Sequence, residues 1–178
     1  MRVETFVRDL AAARIGATYN FYRDGERAEL RRDRLAAYLR ERSRARFLLV
    51  GEAAGYRGAR VSGVPFTSER QLTGDPPGEA SATIVHRVLA ELGLSDDVLL
   101  WNVVPTHPHR LGKPASNRPP TRAETEAGMP FLRELADGRQ VVAIGRVAER
   151  ALGHPCVRHP SHGGAALFRA GLADYASS

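Results

Sequence analysis

The sequence contains one cysteine, Cys156, and one lysine, Lys113, among its 178 residues. A single cysteine excludes an intrachain disulfide, a four-cysteine zinc site and an iron–sulfur cluster held by four thiolates. A single lysine leaves one candidate for any reaction through a lysine Schiff base. Apart from this lysine, all of the 26 Lys and Arg residues are arginines.

Long apolar segments are also missing. No stretch approaches the roughly 20 apolar residues of a membrane-spanning helix. Charges interrupt residues 1–16, where a signal peptide would need an apolar run. We therefore expect a cytoplasmic protein with no membrane contact. The length fits one globular domain, and we expect a monomer.

The formal net charge of +6 is concentrated near the N-terminus. Residues 1–46 hold 12 arginines and 7 acidic residues, whereas residues 47–178 are nearly neutral. Excess positive charge favours an acidic partner such as nucleic acid. We predict that residues 1–46 form a basic helical arm packed on a body of residues 47–178. The arginines of this arm either contact DNA or form an ordinary solvated helix face.

From residue 47 onward, short apolar runs alternate with amphipathic segments. Strands are predicted at residues 47–50, 98–104, 140–144 and 157–159, and helices at 79–92, 121–137, 147–152 and 165–175. Thr121 and Glu124 form a capping-box pattern at the start of the second helix. Strands alternating with helices predict an α/β fold, a three-layer α/β/α sandwich with a central, mostly parallel four-stranded sheet.

Three polar loops follow the predicted strands, at residues 51–66, 102–121 and 159–164. Parallel sheets bind ligands beyond the carboxyl ends of their strands. Asn102 either reads a planar heterocycle through its amide donor and acceptor or is a core amide bonded to backbone. His159 can donate a hydrogen bond to an oxygen that becomes negative. Phe66 either stacks on a base or fills the core.

The segment from residue 98 to 123 contains no acidic residue. It carries His109, Arg110, Lys113 and Arg118, a composition that suits contact with a phosphate backbone. The alternative is an ordinary solvated loop.

Three motifs in these loops resemble, in order and spacing, the signature motifs of the uracil-DNA glycosylase superfamily: GEAAG at residues 51–55, NVVPTHPHR at 102–110 and HPSHGG at 159–164. The resemblance covers residues 46–172 and is to the GEAPG- and HPS-type enzymes, here as a branch without an iron–sulfur cluster. It implies a DNA-repair enzyme that flips uracil out of DNA and hydrolyses its glycosidic bond. No cofactor or metal is expected.

The resemblance also implies roles for single residues. Asn102 would bind the uracil edge, His159 would donate to uracil O2, and Phe66 would stack on the flipped base. The backbone around Gly51, Ala53 and Gly55 would line the sugar and the attacking water. The last motif would lie near the phosphates or press into the duplex through Ser161, His162, Gly163 and Gly164.

Two positions depart from the family pattern. Ala53 stands where other branches have the Asp that positions the attacking water. Glu52 is therefore the first candidate for positioning this water, and Tyr56 and backbone carbonyls are further candidates. Gly55 replaces a Tyr that excludes thymine. Discrimination at the 5-position of the base is therefore expected from Tyr56 or Phe66.

Other functions fit the same residues. The substrate could be another deaminated base such as hypoxanthine. A protein that binds uracil-containing or abasic DNA without turnover is also consistent with Ala53. A nucleotide hydrolase is a third alternative, but the sequence has neither a P-loop pattern nor a carboxylate cluster for a metal. Lys113 lies in a predicted surface loop, which favours hydrolysis over lyase chemistry.

Overall fold

A computed structural model describes residues 1–176, so the last two residues of the predicted 47–178 domain lie outside the described part. No helix within residues 1–176 combines the length and apolarity needed to cross a bilayer. The elements in chain order are α1 (Val3–Ala12), α2 (Ala28–Glu41), β1 (Phe47–Ala53), α3 (Ala59–Ser62), α4 (Glu69–Thr73), α5 (Ala80–Glu91), β2 (Val98–Val104), α6 (Arg122–Ala136), β3 (Gln140–Ile144), α7 (Arg146–Leu152), β4 (Cys156–Val157) and α8 (Ala165–Ala176).

The four strands form one parallel sheet in the order β2–β1–β3–β4. Helices cover both of its faces, which confirms the predicted α/β/α sandwich. The chain adds β2 on one side of β1 and then returns to add β3 on the other. In such sheets the carboxyl end of the strand at this reversal is where ligands bind.

Alternate residues of the central strand β1 build two separate cores. Leu48 and Val50 face a layer that contains α1, α2 and α6. Phe47 and Leu49 face the layer of α5 and α8. A strand buried on both faces explains why β1 has no polar residue before Glu52.

Residues 1–46 contribute to the same core as the sheet. Phe6, Leu10, Leu35 and Leu39 are buried in the cluster that includes Trp101 of β2. The rings of Phe6 and Trp101 meet edge to face with centroids 5.6 Å apart. The N-terminal segment is therefore held on the sheet by buried apolar surface.

Several arginines of this segment bind protein groups. Arg34 donates to both carboxylate oxygens of the buried Glu69, and Arg27 donates to one of them. Arg31 donates to the backbone carbonyl of Val61 at 3.2 Å. Part of the N-terminal positive charge thus attaches α2 to the chain that follows β1. Contact of this segment with DNA stays a prediction.

Helix α6 begins with the predicted capping box. Thr121 Oγ1 accepts a hydrogen bond from the Glu124 backbone N–H at 3.2 Å, and the Glu124 carboxylate accepts one from the Thr121 N–H at 2.8 Å. Gly128 lies against β2, because a Cβ there would collide with the carbonyl oxygen of Val103. The absence of a side chain at residue 128 lets α6 approach the strand that carries Asn102.

Candidate active site

A cavity of about 200 Å³ lies at the carboxyl ends of β1 and β2 and beside the loop after β4. β4 ends at Val157, two residues earlier than predicted, so that His159 belongs to this loop. Seven residues singled out from the sequence line the cavity: Glu52, Ala53, Gly55, Phe66, Asn102, Arg118 and His159.

Asn102 occupies a register position beside Gly51, where β2 pairs with β1. Its side chain is almost fully buried, with 4% exposed. Within residues 1–176 no protein group forms a hydrogen bond with its amide, although buried amides are normally bonded. The donor and the acceptor of this amide are therefore available to a molecule in the cavity.

The ring of Phe66 lies over the backbone of Gly51. A Cβ on Gly51 would collide with ring atom Cζ, so only glycine permits this contact. Phe66 has a left-handed backbone, with φ of 51°, and its carbonyl accepts a hydrogen bond from His86 Nε2 at 3.1 Å. It packs against the core cluster of α5 and also lines the cavity, and its stacking on a base stays a prediction.

Ser161 determines the tautomer of His159. The backbone N–H of Ser161 donates to His159 Nδ1 at 3.1 Å, and its hydroxyl lies 2.8 Å from the same atom. Burial, together with the charges of Arg158 and His162, lowers the pKa of His159. A neutral imidazole whose Nδ1 accepts must carry its proton on Nε2. His159 is thus a neutral N–H donor at the cavity.

Glu52 follows the buried part of β1 and is half-buried at the cavity. Burial raises the pKa of its carboxyl group, with an opposing effect from the charge of Arg150. Glu52 also borders a neighbouring groove that contains Arg146 and Arg158. A carboxylate with a raised pKa that lines the same cavity as Asn102 and His159 is suited to accept a proton from water.

Glu79 also lines the cavity, and sequence reasoning did not single it out. Its carboxylate lies against Gly55 and Gly58, because a Cβ on either glycine would collide with one of its oxygens. Burial raises the pKa of Glu79. In the sequence it is simply the first residue of a predicted helix, a position at which a glutamate attracts no notice, and only the folded chain brings it to the cavity.

Tyr56 lies outside the lining of the cavity. Its backbone N–H donates to Asn117 Oδ1 at 3.0 Å, and the guanidinium of Arg60 lies 4.8 Å from its ring centroid. A further buried histidine, His107, bonds through Nδ1 to the carbonyl of Ala54 at 2.9 Å. Both contacts join the loop after β1 to the loop after β2.

The loop between β2 and α6, residues 105–121 and here called the basic loop, lies at the rim of the cavity. Arg110 and Lys113 pair in an isolated β-bridge that closes a turn, and both are exposed, as is most of the loop. Leu111 at this turn has 100% of its surface exposed. His109 stacks on the ring of His107 at 5.9 Å between centroids. The loop thus presents one cation on each side of an apolar side chain.

Arg118, also predicted to contact DNA, has its guanidinium bound to Glu124 through two hydrogen bonds of 2.6 and 2.7 Å. It donates further to the carbonyl of His109 at 2.9 Å. Its position at the cavity is therefore fixed by protein partners. Its contact with DNA stays a prediction.

The loop after β4 turns sharply before α8. His162 and Gly163 have left-handed backbones, with φ of 52° and 74°. Gly164 allows the turn to close, since a Cβ there would collide with the carbonyl oxygen of His159. Ser161 and His162 are at the surface of this turn, and contact of all four residues 161–164 with DNA stays a prediction.

Comparison with known proteins gives a family and a fold. Residues 40–172 match the family model described as the uracil DNA glycosylase superfamily. The crystal structure of wild-type Pedobacter heparinus SMUG2 superposes with a TM-score of 0.65 at 13% sequence identity, covering 97% of this chain and 99% of that one. No curated protein matches the chain.

Proposed function

Because the chain belongs to the uracil DNA glycosylase superfamily and is therefore a DNA glycosylase, we propose that the base it removes is uracil. The observation that carries this proposal is the pairing of Asn102 and His159 at one cavity. An unbonded amide and a neutral N–H donor are the groups that would hold the N3–O4 edge and the O2 atom of a uracil ring. Phe66 supplies an aromatic surface for the same ring.

The base would enter the cavity only after its nucleotide has flipped out of the DNA, because the glycosidic bond is inaccessible within the base stack. The C1′–N1 bond then breaks, and its electron pair stays on the uracil. Negative charge accumulates on O2, where the Nε2–H of His159 stabilises it without transferring its proton. Such preorganised donors typically contribute about 2.7–4 kcal/mol to transition-state stability.

Glu52 is proposed to position the attacking water. The sugar becomes cationic as the base departs, and a carboxylate beside it both stabilises that charge and accepts a proton from water. The oxygen of the water forms the new bond to C1′, Glu52 then releases the proton it accepted, and the departing uracil anion takes up a proton, so that the products are free uracil and an abasic site. Lys113, the one lysine, is exposed in the basic loop, which favours this monofunctional hydrolysis over lyase chemistry.

DNA would be held by the basic loop. Arg110 and Lys113 would bind phosphates, and Leu111 between them would enter the space that the flipped nucleotide leaves. Proteins that distort DNA often insert such apolar side chains into the base stack. The full exposure of Leu111 supports this role, since burial in the protein does not explain a leucine at that position.

The proposal is tested by release of uracil from a U:G oligonucleotide in the presence of EDTA. We expect multiple turnovers by the wild-type protein. His159→Ala and Asn102→Ala should each lower the single-turnover rate by about 100-fold or more. His154→Ala, a change at an exposed histidine, is the matched control.

Other results would redirect the proposal. Equal rates for the two site variants and the wild type would show that another site is used. Tight stoichiometric binding with no base release would identify a non-catalytic DNA-binding protein. Faster release of hypoxanthine than of uracil would identify hypoxanthine as the preferred base.

A further inference from the structure

The carboxylate of Glu79 is a cavity group without a partner. Gly55 and Gly58 leave the space that its two oxygens occupy. Among residues 1–176, no residue forms an ion pair with this carboxylate or donates a hydrogen bond to it. A half-buried carboxylate in this condition loses hydration without compensation. Such a cost is commonly found at functional sites.

Neighbouring charges do not neutralise Glu79. Arg57 and Arg70 line a second groove, on the outer side of Glu79, and neither forms an ion pair with the Glu79 carboxylate. Within the cavity the other charged or titratable groups are Glu52, Arg118 and His159. The guanidinium of Arg118 is committed to Glu124, and Glu52 is itself acidic. The Glu79 carboxylate therefore remains free to interact with whatever occupies the cavity.

Hydrogen bonds place Gly55, and with it Glu79, on the β2 side of the cavity. The N–H of Ala54 donates to the carbonyl of Val104 at 3.2 Å, and the N–H of Tyr56 donates to Asn117. His159, by contrast, follows β4 at the opposite edge of the sheet. Glu79 thus lies on the side of the cavity that bears Asn102, away from His159.

This placement relates Glu79 to one edge of a pyrimidine. In uracil, C5 is bonded to C4 and lies on the side of the ring away from O2. If Asn102 holds N3–H and O4 while His159 holds O2, a group on the Asn102 side and away from His159 therefore lies near C5. We infer that Glu79 faces the 5-position of the bound base and determines specificity there. This inference rests on the proposed function for the orientation of the ring. Tyr56 lies outside the cavity lining, so Glu79 takes its place in the predicted discrimination at this position, while Phe66 keeps its proposed role as the aromatic surface under the ring.

The physical basis of the discrimination is electrostatic. The methyl group of thymine would exclude water from the carboxylate and offer it no hydrogen bond, which is unfavourable. Uracil, with hydrogen at C5, leaves that water in place. A 5-substituent with a donor, such as hydroxymethyl, would give the carboxylate a charge-assisted hydrogen bond.

The experiment measures affinity for duplexes that contain 2′-fluoro analogues, whose glycosidic bond resists hydrolysis. The flipped base is uracil, thymine or 5-hydroxymethyluracil, and the proteins are wild type, Glu79→Gln and Glu79→Ala. Glu134→Ala, at an exposed glutamate of α6, is the control. We expect Glu79→Ala to reduce the preference for uracil over thymine by about tenfold or more, the effect of one methyl group in a binding pocket.

Both variants should also lose about tenfold or more of their relative affinity for 5-hydroxymethyluracil, because a hydrogen bond to a charged group is lost. Their melting temperatures should not fall, since neither change removes a partner from another buried group. Unchanged preferences in both variants would overturn the inference, as would an equal loss of affinity for all three bases. Release of uracil by the wild-type protein is scored separately, so failure of the proposed function and failure of this inference are distinguishable.

Discussion

The ring of Phe66 lies so close to the backbone of Gly51 that no Cβ fits between them. A Cβ on Gly51 would also lie 3.2 Å from Asn102 Oδ1. One glycine therefore sets the positions of the aromatic surface and of the amide that are proposed to bind the base. Any side chain at residue 51 must displace at least one of them.

Gly51→Ala is accordingly expected to lower the single-turnover rate of base release by about 100-fold, the cost of a misplacement of about 1 Å at a reacting centre. Phe66→Ala removes the ring with which the new Cβ collides. In the double variant Gly51→Ala/Phe66→Ala, the second substitution should therefore add much less than in the wild-type background. Full additivity of the two effects would contradict the proposed coupling.

The pH dependence of base release follows from the two titrating groups. The pKa of Glu52 is raised by burial, and it must be ionised to accept a proton. The pKa of His159 is lowered, so that it stays neutral near pH 7. We expect a rate that is level near pH 7 and falls as the pH is lowered through these pKa values. A rate that increases on acidification below pH 6.5 would show that His159 acts as the imidazolium ion.

Arg110→Ala and Lys113→Ala should weaken binding to uracil-containing DNA and to undamaged DNA equally, because phosphate contacts carry no sequence information. Each should reduce the slope of log Kd against log salt concentration by about one. The measurement is a titration of fluorescent duplex at several salt concentrations. Arg8→Ala on α1 is the control, and an unchanged slope in both loop variants would move the DNA surface elsewhere.

Leu111→Ala should slow base release from duplex DNA and leave release from single-stranded DNA nearly unchanged, because only the duplex has a stack to be filled after flipping. The ratio of the two single-turnover rates is the quantity to measure. Leu30→Ala changes another exposed leucine, on α2, and should not alter the ratio. An equal loss on both substrates would indicate a general effect on the loop.

Arg118→Met should lower the free energy of unfolding by about 3 kcal/mol, because it leaves the carboxylate of Glu124 buried without its cation. Arg122→Met, which removes an exposed ion pair with Glu126, should have a much smaller effect, because solvent screens that pair. Urea denaturation at pH 7 gives both values. Similar costs for the two variants would contradict the role assigned to burial.

The same ion pair predicts an acid-dependent loss of stability. Hydrogen bonds from Arg118, first of all, and from the backbone N–H groups of Thr121 and Ala17 lower the pKa of Glu124 from 4.5 to about 2. A group whose pKa is lower in the folded state stabilises the fold above its unfolded value. The contribution is complete above about pH 4.5 and is lost as the pH falls towards 2. In Arg118→Met this part of the acid dependence of stability should become smaller, because only the backbone donors of Thr121 and Ala17 remain.

The sequence by itself determined the four strands, the helices α5 to α8, the parallel three-layer arrangement and the family motifs. These depend on local periodicity and on the rule that the carboxyl ends of parallel strands share one edge. Thr121 and Glu124 were recognisable for the same reason, since both partners of a capping box lie within four residues.

Only the tertiary structure decided which charged side chains pair with one another and which ones reach the cavity. Arg118 binds Glu124, and Arg34 binds Glu69 across 35 positions, so that part of the positive charge attributed to DNA binding holds the protein together. Glu79 reaches the cavity because two glycines of another loop leave room for its carboxylate. Such contacts depend on the space between elements that pack together, and neither residue spacing nor composition encodes that space directly.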